Sequence, residues 1–177
     1  IIEPPTPLKI LRTRWEFQDA NWFPDFPASA RKLAWFYEKS GGATVDGVIA
    51  LDTNILIDLL KLTGPVEISE FNKTISSENA IFEIQKEVEV NYDRQINEPK
   101  KFLGVLIGEI IKKMSANHSL VLPSLSILQN NLTTRHIQMM SFHPDIQQTI
   151  ISHDWGGAII HNNEGDYLAV INSNIGG

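Results

Sequence analysis

Between Val45 and Ile68 the apolar residues change their spacing twice, and few folds accommodate that change. Val48 to Leu51 is a short continuous apolar run, the pattern of a strand buried on both faces. Ile55, Leu56, Leu59 and Leu60 then recur at the helical period and give the next segment one apolar stripe. Asp52 and Thr53, at the junction, both have side chains that can cap a helix. Gly64-Pro65 ends it, because glycine tolerates a left-handed backbone and proline cannot continue a helix. Val66 to Ile68 starts a second strand. Strand, helix and strand in this order predict an α/β fold: one domain, with a mixed central sheet flanked by helices.

The 177 residues suffice for one domain with a substantial core. A net charge of −6 gives no general electrostatic footprint for nucleic acid, so none is expected as a partner. There is no cysteine, which excludes disulfides and thiolate metal sites. No apolar run approaches the roughly 20 residues that span a bilayer. The chain opens on Ile1-Ile2-Glu3-Pro4-Pro5, without a signal peptide or initiator methionine, and reads as an excised or processed piece. Residues 1–9 are expected to be extended, and 10–177 to form the single α/β domain, a fragment of a longer one.

Along the chain, Ile10 to Phe17 reads as an edge strand, and Asp19 to Pro27 as a loop dense in aromatics and prolines that packs over a core edge. Pro27 opens a helix that Gly41-Gly42 stops, with Ala30, Leu33, Ala34 and Tyr37 on one face. Phe71 to Ile75 pairs with Val66 to Ile68 as a hairpin. A long helix follows from Ser76 or Ser77, burying Ala80, Ile81, Ile84, Val88 and Tyr92. The next begins near Pro99 and ends near Met114, and its Gly104 and Gly108 predict close helix packing. Pro123 to Leu132 reads as a helix, Ile137 to Phe142 as a strand, and Pro144 to Ser152 as a helix. Asp154 to Gly157 reads as a turn, and Ala158 to Ile160 and Tyr167 to Ile171 as strands.

Leu51-Asp-Thr-Asn-Ile-Leu-Ile-Asp58 resembles the opening of PIN-type nucleases, in which a strand-end Asp joins other carboxylates around Mg²⁺ or Mn²⁺ to activate water. Asp52, Glu87 and Asp93 are the candidate metal set on that reading, with Glu89 beside them. The reading of Asp52 as a helix cap needs nothing else and is the one preferred here. Asp145 and Asp154 are poorly placed for the remaining acids of such a site. The five histidines, His118, His136, His143, His153 and His161, show no ligand spacing and read as surface or strand-end residues. Arg12, Arg14 and Arg31 precede the central unit near Asp19, Asp25 and Asp46. Guanidinium groups with carboxylates can hold a phosphate and a divalent ion, or simply form surface ion pairs. Asn72, Asn117 and Asn131 stand in glycosylation sequons that matter only in a secreted eukaryotic protein.

Five segments in order carry a wider resemblance: Asp19 to Ala30, Val45 to Asp52, Leu62-Thr-Gly-Pro-Val66, Ile75 to Asn79 and Asp154-Trp-Gly-Gly157. Together they resemble the family called domain of unknown function 4012 (DUF4012), over about residues 10–177. Where that family often has Asp-Pro, this chain has Asp52-Thr53. The resemblance implies a prokaryotic, extracytoplasmic cell-envelope domain whose full-length parent is membrane-anchored by a segment outside this chain. The succession from Asp46 through Gly64-Pro-Val66 and Ser77-Glu-Asn-Ala80 is also similar to the LytR–CpsA–Psr (LCP) fold. Those proteins transfer glycopolymers from a polyprenyl-pyrophosphate carrier, using arginines on the pyrophosphate and acids on Mg²⁺. Asp93-Arg94-Gln95 echoes part of their pattern. Gln85, Lys86 and Glu87 stand where LCP proteins have paired arginines, and that loss of bidentate phosphate donors argues against catalysis.

The expectation is therefore an LCP-like domain that binds or processes envelope glycopolymer or lipid-linked phosphate, and is not a competent enzyme. Arg12, Arg14 and Arg94 would hold phosphate, and Asp46 or Asp93 would stand near Mg²⁺. Such a site would show as an apolar groove lined by Trp22, Phe23 and Trp35. The alternatives are the Mg²⁺-dependent nuclease around Asp52, Glu87 and Asp93, and a structural or interaction domain.

Overall fold

The computed structural model describes residues 2–90, 101–160, 165, 166, 168, 170 and 171. The expected α/β class holds, with helices dominant. The strands among these residues lie in two separate two-stranded sheets, where the sequence suggests a single mixed one. The chain divides into two compact units, Leu51–Ile137 and the pair of segments Ile1–Ala50 and Gln138–Gly177.

In the unit Leu51–Ile137, helix α2 (Thr53–Thr63) starts at Asp52, whose side chain accepts the Asn54 N–H, and ends at Gly64. Gly64 has φ of 74°, which explains glycine there. Strands β2 (Val66–Ile68) and β3 (Lys73–Ile75) pair antiparallel, with Val66 opposite Ile75 and Ile68 opposite Lys73. The hairpin is expected, but a 3₁₀ turn at Ser69–Phe71 and left-handed Asn72 delay the second strand to Lys73. The anticipated long helix is a short one, α3 (Ala80–Gln85), continued by a π-helical turn, Lys86–Val90. Ser76 does not cap it. Its N–H donates to Asn79 Oδ1, so the helix starts later, and Ile81 is exposed. Tyr92 lies outside the described residues.

Helix α4 (Lys101–Ala116) buries Phe102, Leu106 and Ile110 against β2 and α2. These join Leu60, Ile68 and Ile75 as the unit's largest fully buried apolar side chains. Contrary to the close packing expected of Gly104 and Gly108, a Cβ at either meets open space. Helix α5 (Val121–Thr133) packs on α2.

In the other unit, helix α1 (Phe26–Lys39) is capped by Asp25 and stopped by Gly41, whose φ is 93°. The expected edge strand at Ile10–Phe17 is absent. Leu8–Ile10 and Phe17–Asp19 form 3₁₀ turns instead. These turns put Leu8, Trp15 and Ala20 in a cluster with Phe36, against which Ile2, Trp22 and Leu33 pack. The aromatic loop is thus a core element, as expected. Buried Ser29 locks it to α1, accepting the Phe23 N–H and donating to the Phe23 carbonyl, both at 2.9 Å.

Strand β1 (Gly47–Leu51) pairs with β4 (Ile137–Ser141). Phe142 N–H donates to the Asp46 carbonyl at one end and Asp52 N–H to the His136 carbonyl at the other, so the pair is antiparallel. Val48 and Ala50 pack on Phe26, Ala30 and Met140. Ile49 and Leu51 face outward, 64% and 54% exposed, so β1 is not buried on both faces. Among the described residues this sheet has two strands, and β1 alternates between half-buried and exposed residues. Gly47 is required by close approach, because a Cβ there would stand 2.5 Å from the Met140 carbonyl. Helix α6 (Pro144–Ser152) follows β4. Ala158 to Ile160 form no strand, since the Ile159 N–H is taken by Asp25 Oδ1. The expected final strand falls partly outside the described residues.

Candidate functional site

The residues singled out from sequence take separate partners. Arg12 Nε lies 3.8 Å from Asp19, and Arg14 lies 3.3 Å from Glu16. Both arginines are exposed, as is Asp46. Asp46 joins the structure through its carbonyl, which accepts from Phe142 and Ser141. Asp25 is occupied as a cap: Oδ2 accepts the Ala28 N–H and Oδ1 the Ile159 N–H. Arg94 and Asp93 lie outside the described residues.

Asp52 and Glu87, proposed as metal partners, are held by different groups. Buried Glu87 forms a 3.0 Å ion pair with Lys73, which also pairs with Glu83. Hydrogen bonds that Lys73 donates, to Glu83 first and then to Glu87, hold its ammonium above the ordinary lysine range. Among the described residues no three His, Asp or Glu side chains gather as a metal set.

Asp52 instead meets His136, a partner the sequence reading missed. His136 Nδ1 lies 2.6 Å from Asp52 Oδ2. A carboxylate only accepts, so Nδ1 carries the proton of this bond. Asp52 Oδ1 accepts the Asn54 N–H at 2.8 Å, and the Asn54 amide donates to Oδ2 at 3.1 Å. Burial pushes the Asp52 carboxyl up, but His136 and the two Asn54 bonds together outweigh it and hold the group below the usual Asp range. The arrangement is a helix cap fastened to the residue before β4. Asp52→Ala should cost about 1 kcal/mol, the usual value of an N-cap side chain. A depressed carboxyl stabilises above its unfolded pKa and loses that contribution as pH falls through the folded value. The variant should therefore show a shallower loss of stability on acidification than the parent. Urea titrations at several acid pH values would check this, and parallel pH profiles would refute it.

Of the residues expected to line a groove, Trp22, Phe23 and Trp35, the first and last are engaged by the surroundings of Trp15. Trp22 packs against the cluster around Trp15, and Lys32 Nζ sits 4.7 Å from the Trp15 ring centre and 5.0 Å from that of Trp35. An apolar groove of about 360 Å³ lies elsewhere in the same unit, lined by Phe17, Leu33, Ala34, Tyr37, Val45 and Val48 along with Gly47 and Ile49. Sequence periodicity marks Leu33, Ala34 and Tyr37 as one face of α1, but gives no sign that β1 stands opposite them.

No curated protein matches the chain, and no solved structure does, so the LCP likeness rests on its sequence motifs alone. Four of the five ordered motifs fall inside a family match, and Asp154-Trp-Gly-Gly157 falls beyond it. That match is to the family described as protein of unknown function, DUF4012; it covers residues 4–88, and over that stretch the resemblance to DUF4012 is shown.

Proposed function

We propose that this chain is an extracytoplasmic cell-envelope module that binds a lipid-linked phosphate or its glycopolymer and carries out no chemistry on it. The observation that supports this reading is the groove between α1 and β1. Its volume falls in the range of small-molecule sites, and its lining is almost entirely apolar, as an isoprenoid chain requires. Arg12 and Arg14 precede the lining residue Phe17 in sequence, and Asp46 stands between two lining residues, Val45 and Gly47. These are the groups we assign to a phosphate and, where one is bound, to Mg²⁺. The engagement of Asp52 by His136, and of Glu87 by Lys73, favours binding over the nuclease alternative.

Farnesyl monophosphate is a soluble probe of this site. Calorimetric titration should show saturable binding that farnesol and inorganic phosphate each reproduce only weakly. Tyr37→Asp, an exposed change in the α1 side of the lining, should weaken binding about tenfold or more while leaving the fold intact. No saturable binding, or binding indifferent to Tyr37→Asp, would remove the proposal.

A further inference from the structure

The sheet beside α1 has a bare edge. The Phe142 N–H donates to the Asp46 carbonyl, so Asp46, Val48 and Ala50 turn their N–H and C=O groups toward β4. Those of Gly47 and Ile49 point the other way. The far edge of β4 is engaged, since the Met139 N–H donates to the Trp155 carbonyl at 3.0 Å. Among the described residues no third strand lies beside β1, and Gly47 and Ile49 make no bond of that kind. Strand edges are ordinarily blunted by charge, proline or a bulge. Gly47–Leu51 carries no charge and no proline, and Ile49 and Leu51 are exposed. The apolar groove adjoins the same stretch, with Val45, Gly47, Val48 and Ile49 in its lining together with Leu33, Ala34 and Tyr37 of α1. At the start of the strand Asp46 is exposed and, among the described residues, makes no ion pair.

We propose that β1 takes an additional strand from a partner polypeptide: an extended segment, apolar at alternate positions and basic at its end. In strand addition main-chain bonds supply affinity, and pockets for alternate side chains supply selectivity. Both are present here. The outward N–H and C=O groups of Gly47 and Ile49 match only an extended backbone, because a helix has already used its own. One row of the added side chains turns toward α1 and enters the groove. The other row lies beside Ile49. A lysine or arginine at the end of the segment meets the free carboxylate of Asp46, and the chain's charge of −6 favours the same sign of partner. Charge also selects against a second β1. Paired antiparallel about Ile49, two copies would set Asp46 of one opposite Asp52 of the other, carboxylate against carboxylate. An isoprenoid chain fills the groove and leaves the edge unpaired, so this strand site stands whether or not a lipid uses the groove.

The probe is a soluble heptapeptide with valine at three alternate positions, threonine between them and lysine at both ends. Fluorescence anisotropy of the labelled peptide should rise saturably with the whole chain, in the absence of lipid. Amide hydrogen exchange at Gly47 and Ile49 should slow at least about tenfold in the complex, while Val48 and Ala50, already in the ladder, change little. The same peptide N-methylated at every amide keeps its side chains and loses its backbone donors, so it should not bind. Ile49→Pro removes an N–H that β4 does not use and puts a ring in the path of the added strand. It should abolish peptide binding with an unchanged circular dichroism spectrum. The proposal is overturned by any of four results: no saturable binding, equal binding of the N-methylated peptide, unaltered exchange at Gly47 and Ile49, or the same protection arising without peptide as the chain dimerises.

Discussion

Phe102→Ala should cost the unit Leu51–Ile137 about 3–5 kcal/mol, the range for removing a phenyl ring from a closed core. Phe102 is 1% exposed. It meets the Phe71 ring edge to face, with centroids 5.0 Å apart, and begins the buried row that Leu106 and Ile110 continue along α4. Its loss removes both the apolar area and the ring pair, and the flanking helix and hairpin cannot close the space without moving the β2–β3 register. Phe82 is the control. It stands exposed on α3, and Phe82→Ala should change stability by no more than about 0.5 kcal/mol. Urea denaturation followed by far-ultraviolet circular dichroism measures both. Similar losses in the two variants would contradict the core assignment.

Lys73→Met should have the second largest effect, about 3 kcal/mol, because it takes the ammonium from a buried carboxylate while keeping most of the side chain's apolar volume. Glu87 is buried and Lys73 half-buried, so the screening that makes surface ion pairs weak acts on the pair only in part. The Lys73 pKa is raised, so its contribution is complete below the ordinary lysine value and is lost as pH rises through the raised one. The parent should accordingly hold its stability to strongly alkaline pH. Stability curves for both from acid to alkaline pH would show this, and a gap independent of pH would argue against the ion pair as its cause.

Local period and punctuation made much of the fold legible. Val48 to Ile68 gave strand, capped helix, glycine stop and strand close to where they occur. Pro27 with Gly41, and Pro144 with Ser152, bracketed two more helices. What could not be read depends on partners far away in sequence. Leu51 looks as apolar as a core residue, yet it stands on the exposed face of β1. Asn79 delays α3 by a side-chain bond that competes with the serines before it. His136 and Asp52 are 84 residues apart and flank two short strands. They become neighbours once those strands are paired antiparallel, and nothing local says that they pair. The groove follows the same logic, since its two walls come from segments each recognisable alone.

The Asp25 carboxylate, which holds the start of α1 with one oxygen and Ile159 with the other, spans 134 positions of the chain. During synthesis the cluster around Trp15 and Phe36 can gather early, because all its residues lie in the N-terminal portion. The Asp25–Ile159 bond and the pairing of β1 with β4 must wait until the residues from Ile137 onward follow it out of the ribosome. The threading thus leaves this unit half-closed while the intervening residues are made.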